Sequence, residues 1–207
     1  MQYPTYDPDN NIVRNATYND ELIKRRFNSW HTYEEDILNH GWSGHEKMAE
    51  VMIALPDIEQ RTDKADIGCG TGLLAKAWRR GDMVGYDVSS RMVELARESG
   101  RYARVSELNM NKTPLPKKYD LITACGFFSL ELVTSSCLPN VASSLKEGGL
   151  LIMTMPQHTG YHDEAGWPFQ TSFELIDETE EFQSWIGENS GTPKYHKIQT
   201  WRKVNEQ

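Results

Sequence analysis

Four residues at alternate positions form the stretch of this sequence in which chemistry is easiest to recognise. Asp66, Gly68, Gly70 and Gly72 alternate within ADIGCGTG, and the helix-forming run LLAKAWRR follows directly. Glycine has no Cβ, so such a loop turns tightly and approaches a ligand closely. Asp87 ends the next apolar run, where an acid accepts hydrogen bonds from ribose hydroxyls in nucleotide-binding βαβ units. The segment Lys64–Ser89 therefore predicts a strand, a glycine turn, a helix and a second strand around a ribose-containing ligand.

The spacing of the glycines bears on which nucleotide this segment holds. A dinucleotide fingerprint reads G-x-G-x-x-G and places a pyrophosphate on the amides at the start of the helix. Here the order is D-x-G-x-G-x-G over residues 66–72. The spacing therefore argues against a dinucleotide. A purely structural glycine turn is the alternative interpretation.

Length and charge limit the class of protein. The 207 residues suffice for one well-buried domain and are too few for two of ordinary size. Lys and Arg number 22 against 30 Asp and Glu, which gives a net charge of −8. Because polyanion binding needs clustered positive charge, this balance argues against a nucleic-acid substrate. A small molecule or a protein is the better expectation for the partner.

Cysteine usage and the N-terminus predict a soluble cytoplasmic protein. Cys69, Cys125 and Cys137 have spacings that suit neither a disulfide framework nor a metal knuckle, so we expect free thiols in a reducing compartment. No set of His, Cys and Asp has the spacing of metal ligands, and no metal site is predicted. The chain shows neither a signal-like start nor an apolar window long enough to span a bilayer. The oligomeric state stays open.

Helical and strand patterns alternate along most of the chain. Residues 1–17 lack apolar periodicity and are expected to form a poorly ordered arm, and residues 18–207 form the single domain. Within it, residues 18–55 predict two N-terminal helices, over 18–41 and 44–54. Further elements are expected at Ser90–Gly100 (helix), Ala103–Leu108 and Tyr119–Cys125 (strands), Leu138–Lys146 (helix) and Leu150–Met155 (strand).

The C-terminal part breaks this alternation. Two strand-like runs, over residues 173–185 and 195–204, are joined by the turn-forming GENSGTPK. They predict an antiparallel pair at the edge of the sheet, and a helix over part of residues 174–182 is the open alternative. The fold class expected is therefore α/β, Rossmann-like, with a seven-stranded, mostly parallel sheet, an antiparallel C-terminal edge and helices on both faces.

Several polar or small residues fall at the predicted ends of strands. They are the glycine loop, Asp87, Asn109 and Cys125. Parallel sheets bind ligands beyond the carboxyl ends of their strands, where the strand order reverses. Independent strand ends thus converge on one predicted site.

Together these motifs resemble the class I S-adenosylmethionine-dependent methyltransferases. The resemblance covers Asp20–Val204. It is carried by the loop at residues 66–72, by Asp87 with the following SSRMVELAR, by PLPKKYDLITA, and by LPNVASSLKEGGLLIMTM. The N-terminal Trp30 and Tyr33-Glu34-Glu35-Asp36 are also similar to the methyltransferase-like proteins named after the Williams–Beuren syndrome region. That subgroup usually has a His-containing stretch after the fourth strand, where this chain reads GFFSLELV.

The resemblance implies S-adenosylmethionine as cofactor, S-adenosylhomocysteine as product, and a role for each matching residue. The loop residues Gly68, Cys69, Gly70 and Gly72 would lie against the methionine and ribose, with Asp66 anchoring the loop or the amino group. Asp87 would hold the ribose hydroxyls, and Val88 and Met92 would wall the adenine. Asn109, with Met110 beside it, replaces the usual acid at the adenine amine, and its side-chain oxygen accepts the same hydrogen bond. Ala124 and Cys125 would border the methionine, and Trp30 or Tyr33 would close over it. The N-terminal helices of residues 18–55 would thus lid the cofactor site.

The acceptor side is less constrained. Methyl transfer from a sulfonium is an in-line displacement in which the protein mainly orients the reactants, so a base is optional. His158 is the best candidate base because an imidazole titrates near neutrality, and a solvated loop histidine is the alternative. Core packing explains the aromatic residues as well as an acceptor pocket does; they are Phe127, Phe128, Trp167, Phe169 and Trp185.

The resemblance implies an enzyme that methylates a small-molecule acceptor. Two other hypotheses stay open: a binding or regulatory protein that keeps the cofactor fold without methyl transfer, and a protein methyltransferase. The sequence after the fourth strand, Cys125-Gly126-Phe127-Phe128, lacks the Asn/Asp-Pro-Pro-aromatic signature of amino-group methylation on adenine or glutamine.

Overall fold

The elements of the chain follow the predicted alternation from the first crossover onward. A computed structural model of the protein describes residues 3–6, 12–16, 20–128, 137–157, 172–186 and 191–204. Its helices are α1 (Asp20–Ser29), α2 (Tyr33–Asn39), α3 (Gly44–Ala54), α4 (Leu73–Trp78), α5 (Ser90–Glu98) and α6 (Leu138–Ser143). Its strands are β1 (Tyr3–Tyr6), β2 (Ile12–Ala16), β3 (Lys64–Ile67), β4 (Met83–Asp87), β5 (Arg104–Glu107), β6 (Tyr119–Ala124), β7 (Leu145–Pro156), β8 (Phe173–Glu178), β9 (Phe182–Ile186) and β10 (Pro193–Lys203).

The main sheet has the predicted mostly parallel arrangement with an antiparallel edge. Its strands run in the order β5-β4-β3-β6-β7-β10-β8, and β9 also pairs with β10. Strands β3 to β7 pair in parallel, whereas β10 is antiparallel to β7, β8 and β9. The order reverses between β3 and β6, so a crevice is expected beyond the carboxyl ends of these two strands.

The edge of the sheet holds one strand more than predicted. Seven strands were expected and the main sheet has eight, because two short strands pair with successive parts of β10. Strand β8 pairs with residues 199–203 and β9 with residues 193–196. The open alternative of a helix within residues 174–182 is wrong: strand pairing with β10 takes up this segment, and the charged run Thr179–Glu181 separates the two strands.

Alternate residues of the central strands pack into two separate cores. On β6, Leu121 contacts the core that α3 and α4 cover, whereas Ile122 faces the core that contains Val141 of α6. Both β6 side chains are fully buried, and burial of one such side chain contributes about 1.5–3 kcal/mol. The helices therefore lie on both faces of the sheet, as predicted. Within the described ranges, none of them is long and apolar enough to cross a membrane.

The N-terminal region differs from its prediction in two ways. The expected arm contains a short antiparallel pair, β1 with β2, because its aromatic and β-branched residues favour strands. The helix expected over residues 18–41 is interrupted after Ser29. The Asp36 carboxylate accepts hydrogen bonds from Trp30 Nε1 and Thr32 Oγ1, both at 2.6 Å, and so holds the turn that starts α2.

Helix α6 is shorter than predicted, and the glycine pair lies within β7. The helix ends at Ser143 instead of Lys146. Leu145 already pairs with Tyr119, and Leu150 pairs with Leu121, so the residues between them form a bulge. Gly149 is required there because a Cβ would lie 2.7 Å from the Lys146 carbonyl oxygen.

Candidate functional site

The glycine loop forms a bare backbone surface at the carboxyl end of β3. Gly68 and Gly70 have φ values of 64° and 52°, in the left-handed region that side chains disfavour. The Cys69 amide donates a 3.0 Å hydrogen bond to the Tyr86 carbonyl and fixes the loop to β4. A Cβ on Gly70 would lie 3.7 Å from the Tyr33 ring and would fill the space between loop and ring. The loop is thus a cradle that only glycine leaves open.

Asp87 joins this loop to the end of β4. Its carboxylate accepts 2.9 Å hydrogen bonds from the Gly70 amide and from the Ser89 amide. The residue is 8% exposed, and burial raises the pKa of the carboxyl group while these amides oppose that change. Each carboxylate oxygen keeps acceptor capacity beyond its one amide bond. Asp87 is therefore held rigidly with acceptor positions that remain available.

A cleft opens beside the loop and Asp87. Its volume is about 750 Å³ when the open space at its mouth is included. The cleft is lined by Asp20, Ile23, Phe27, Tyr33, Gly68, Gly70, Asp87, Val88, Met92, Leu108, Asn109, Met110, Asn111, Cys125, Gly126 and Phe127. Its lining comes from the ends of β3, β4, β5 and β6 and from α1, α2 and α5, so the strand ends do converge as predicted.

The structure brings most of the predicted site residues into this lining. They are Tyr33, Gly68, Gly70, Asp87, Val88, Met92, Asn109, Met110 and Cys125. Four others, Trp30, Asp66, Gly72 and Ala124, do not line the cleft, and Cys69 turns its side chain away from it toward Gly85.

The residues outside the lining have supporting roles. Trp30 packs edge-on against Tyr33, with ring centroids 5.1 Å apart, so it holds the ring that covers Gly70. Gly72 precedes α4 and lies against Tyr102, which a Cβ would approach to 3.0 Å. Ala124 is fully buried in the core. These three residues do not line the described cleft, and their contact with a ligand stays a prediction.

Asp66 lies near the end of β3, just before the loop. Tyr102 Oη and Thr123 Oγ1 donate hydrogen bonds of 2.6 Å and 2.8 Å to its carboxylate. It is 2% exposed, and burial raises the pKa of this carboxyl group to about 7. These bonds tie the end of β3 to β6 and to Tyr102, and both predicted roles of Asp66 stay predictions.

Asn109 uses its side chain within its own turn. Its Oδ1 accepts a 2.9 Å hydrogen bond from the Asn111 amide, and its carbonyl accepts bonds from the Lys112 and Thr113 amides. The predicted acceptor oxygen therefore already has one partner, although an amide oxygen can accept a second bond. Asn111, which the sequence analysis did not single out, donates to Asp20 at 3.2 Å.

Helices α1 and α2, which we call the helical cover, lie over the cleft. Asn28 Oδ1 accepts a 2.7 Å hydrogen bond from Ser89 Oγ at the start of α5, and Lys24 forms an ion pair with Glu107. Ile23 and Phe27 of α1 line the cleft. Their four-residue spacing indicated an apolar helix face, and the role of residues 18–55 as a lid over a cofactor site stays a prediction.

A smaller polar cavity lies on the other side of the glycine loop. It has a volume of about 330 Å³ including open space, and it is lined by Tyr33, Ile37, Trp42, His45, Asp66, Gly68, Cys69, Gly70, Thr71, Leu73, Leu74 and Cys125. We call it the annex. It shares Tyr33, Gly68, Gly70 and Cys125 with the cleft. The spacing of His45 and Thr71 along the chain does not indicate that both would line one cavity.

The acceptor side is only partly described. The candidate base His158 lies outside the described residues, as do Trp167 and Phe169. Phe127 lines the cleft, and Phe128 is 1% exposed in the core. Burial raises the pKa of the Cys125 thiol well above its ordinary value, so this residue is not an activated nucleophile. Among the described residues, no group of three or more His, Cys, Asp or Glu side chains could hold a metal ion.

The strand order and the glycine loop bonded to Asp87 define a Rossmann-like α/β domain, a fold that commonly binds nucleotides. Residues 65–151, which include that loop, match the model of the family described as "Methyltransferase domain". This match and the relatives below make the chain similar to methyltransferases over part of its length. None of them shows the narrower Williams–Beuren-region likeness.

Two curated relatives are methyltransferases of small or carrier-bound acids by name. The trans-aconitate 2-methyltransferase of Afipia carboxidovorans is 32% identical over 53% of this chain and 44% of its own length. The malonyl-[acyl-carrier protein] O-methyltransferase of Acetivibrio thermocellus is 27% identical over 66% of this chain and 50% of its own length. The chain thus spans about half the length of the curated relatives it matches.

Solved structures with this fold cover nearly the whole chain. Magnesium protoporphyrin IX methyltransferase from Synechocystis, solved with bound S-adenosylmethionine, has a TM-score of 0.64 at 16% identity and covers 92% of this chain and 100% of its own. The [4+2]-cyclase SpnF has a TM-score of 0.68 at 17% identity over 99% of both chains. At such identities these likenesses show the fold, and a cyclase among them shows that the fold alone does not fix the reaction.

Proposed function

We propose that the protein is an S-adenosylmethionine-dependent methyltransferase that acts on a small molecule. The observation that carries the proposal is the Asp87 carboxylate, bonded to the Gly70 amide at the rim of an open cleft. This arrangement lies within the segment that matches the methyltransferase family model. Within the superfamily, the likeness of Trp30 and Tyr33 to the Williams–Beuren-region proteins belongs to the proposal.

The residues present fit the cofactor. Asp87 has acceptor capacity for two ribose hydroxyls, and the half-buried Val88 with the buried Met92 provides an apolar wall for adenine. Gly68 and Gly70 carry no side chain and so leave room for the rest of the cofactor. S-adenosylmethionine supplies a methyl group on a sulfonium, which passes to a nucleophilic acceptor atom and leaves a thioether product.

The helical cover shields one side of this site from water. Phe27 and Tyr33 place aromatic rings along the cleft, and Trp30 supports Tyr33 from behind. Burial raises the pKa of the Tyr33 hydroxyl, so it stays protonated and acts as a wall and a hydrogen-bond donor. With Cys125 also protonated, the lining offers no covalent intermediate, which supports direct transfer to the acceptor.

The acceptor class we propose is a small carboxylic acid. Aconitate and malonyl groups, the acceptors in the relatives' names, both carry carboxylates. A carboxylate is already deprotonated at neutral pH, so methylation of its oxygen needs no general base. The predicted base role of His158 therefore distinguishes a carboxylate from an acceptor that must lose a proton. His158→Ala lowers turnover, with cofactor affinity unchanged, only for an acceptor of the second kind.

Transfer of a labelled methyl group tests the proposal. The protein is incubated with methyl-labelled S-adenosylmethionine and a cell extract, and the extract is separated into small-molecule and protein fractions. Label in a base-labile small-molecule ester supports the proposal. Label on protein that remains after carrier-bound acyl groups are released supports a protein methyltransferase, and tight binding without transfer supports a binding or regulatory protein. Either of these outcomes contradicts the small-molecule proposal.

A further inference from the structure

Two polar side chains in the annex have no hydrogen-bond partner among the described residues. They are His45, through Nδ1, and Thr71, through Oγ1. Each residue is 6% exposed, and both line the annex. Buried polar atoms are nearly always hydrogen-bonded, so an unpartnered pair facing one cavity indicates a polar ligand group or water.

The annex lies where a group attached to the ribose of a nucleoside ligand would extend, on the side away from the base. Asp87 marks the ribose end of the cleft, and Val88 and Met92 line the side proposed for adenine. Gly68 and Gly70 border the annex as well as the cleft, so a group attached to the ribose can pass along the bare loop into it.

The charges around the annex favour an anion whose binding is accompanied by the uptake of a proton at His45. Burial lowers the pKa of His45, and Lys76 lowers it further, while Glu46 and Glu34 oppose them. The titratable groups that line the cavity besides His45 are Tyr33, Asp66, Cys69 and Cys125. Burial raises the pKa of all four, so near neutral pH Tyr33 and the two thiols are neutral and the negative charge of the lining is only the partial charge of Asp66. An entering carboxylate would reverse the balance at His45 and favour its protonated form.

We propose that His45 and Thr71 form a carboxylate-binding annex, in which His45 takes up a proton when the amino-acid arm of the cofactor binds. The proposal rests on the proposed function, because the ligand that reaches the annex is S-adenosylmethionine or S-adenosylhomocysteine. Thr71 donates its hydroxyl to the carboxylate, and the protonated imidazole of His45 supplies a charge-assisted donor. His45 thereby couples cofactor affinity to pH.

The affinities of two ligands distinguish binding in the annex from binding in the rest of the site. S-adenosylhomocysteine carries the amino-acid arm, whereas 5′-methylthioadenosine has the same nucleoside without it. We expect Thr71→Val and His45→Gln each to weaken S-adenosylhomocysteine about tenfold and to leave methylthioadenosine unchanged. Calorimetry measures both affinities, and methylthioadenosine binding also shows that each variant is folded. His31→Gln, an exposed histidine of the helical cover, is the control.

Proton uptake is the second measurement. Titration of S-adenosylhomocysteine at pH 7 in two buffers of different ionisation enthalpy gives the number of protons bound. The wild-type protein and His31→Gln should take up a fraction of a proton that His45→Gln does not. Equal losses for both ligands, or unchanged uptake in His45→Gln, overturn the inference while the proposed function stands. Failure of the wild-type protein to bind either ligand overturns both.

Discussion

The glycine loop and the helical cover face each other across one cleft but are held in place by different forces. The loop is fixed by backbone hydrogen bonds, such as those from Cys69 to Tyr86 and from Gly70 to Asp87. The cover has no fully buried residue in α1, and its side-chain bonds to the domain include Asn28–Ser89 and Lys24–Glu107. The difference implies that the loop specifies the ligand and that the cover retains it.

The largest effect should come from a side chain in the loop. Gly68 and Gly81 have similar φ values, 64° and 68°, so alanine at either should cost about 1–2 kcal/mol of stability. A Cβ at Gly68 would overlap the Phe127 ring and push it into the cleft, whereas Gly81 has nothing within 4 Å. Calorimetry should show that Gly68→Ala weakens S-adenosylhomocysteine more than about a hundredfold. Equal affinities in the two variants would contradict the claim that the ligand lies against the glycine loop.

The buried Asp66 should give the loop its own pH dependence. Its pKa is raised to about 7, well above 3.8, so between about pH 4 and pH 7 the folded state binds the extra proton. Its contribution to stability is therefore present below about pH 4 and is lost as the pH rises through 7, by at most about 1.4 kcal/mol per pH unit. Denaturant unfolding of Asp66→Asn should lack this slope. Parallel pH profiles of variant and wild type would contradict the assigned pKa.

A change in the cover should alter retention of the ligand more than stability. Asn28→Ala removes the acceptor of the 2.7 Å bond from Ser89 Oγ, which still accepts from the Met92 amide. We expect the dissociation rate of S-adenosylhomocysteine to rise about threefold with an association rate near that of the wild type. Stopped-flow fluorescence measures both rates, and Ser29→Ala, next to it in α1, is the control. A slower association rate instead would place Asn28 in recognition.

The smallest effect should come from the ion pairs of α2. Glu34 lies 3.7 Å from both Lys76 and Arg101 and is partly exposed, so the pairs contribute less than about 1 kcal/mol. Glu34→Gln should lower stability by that small amount in dilute buffer and by nothing in about 1 M salt. Its neighbour Glu35→Gln is the matched control. A salt-independent loss would mean that packing, and not charge, holds α2.

Local sequence patterns predicted the part of the site formed by the glycine loop and Asp87, because these features are determined by residues close together in the chain. The glycines, the apolar strands and Asp87 at a strand end needed no knowledge of distant contacts. The turn at Asn109 could also have been predicted, since an Asn side chain often accepts a hydrogen bond from the amide two residues later. The prediction for the Asn109 side chain named only a bond to the ligand.

Tertiary contacts decided what the sequence did not show. The break between α1 and α2 depends on Asp36 binding Trp30 and Thr32 at once. The annex depends on α3, which brings His45 to the same cavity that Thr71 lines, although the two are far apart in the chain. Periodicity identifies an apolar face of a helix but not its partner.

The most direct test of the account is the affinity of Asp87→Asn for S-adenosylhomocysteine. Asparagine keeps one acceptor oxygen for the loop amides but loses the charge and an acceptor for the ribose. Calorimetry should show tight binding by the wild-type protein and by Glu94→Gln, an exposed acid on α5, and an affinity about ten to a hundred times weaker in Asp87→Asn. Equal affinities in all three proteins, or no binding by the wild-type protein, would contradict the assignment of the cleft to this cofactor.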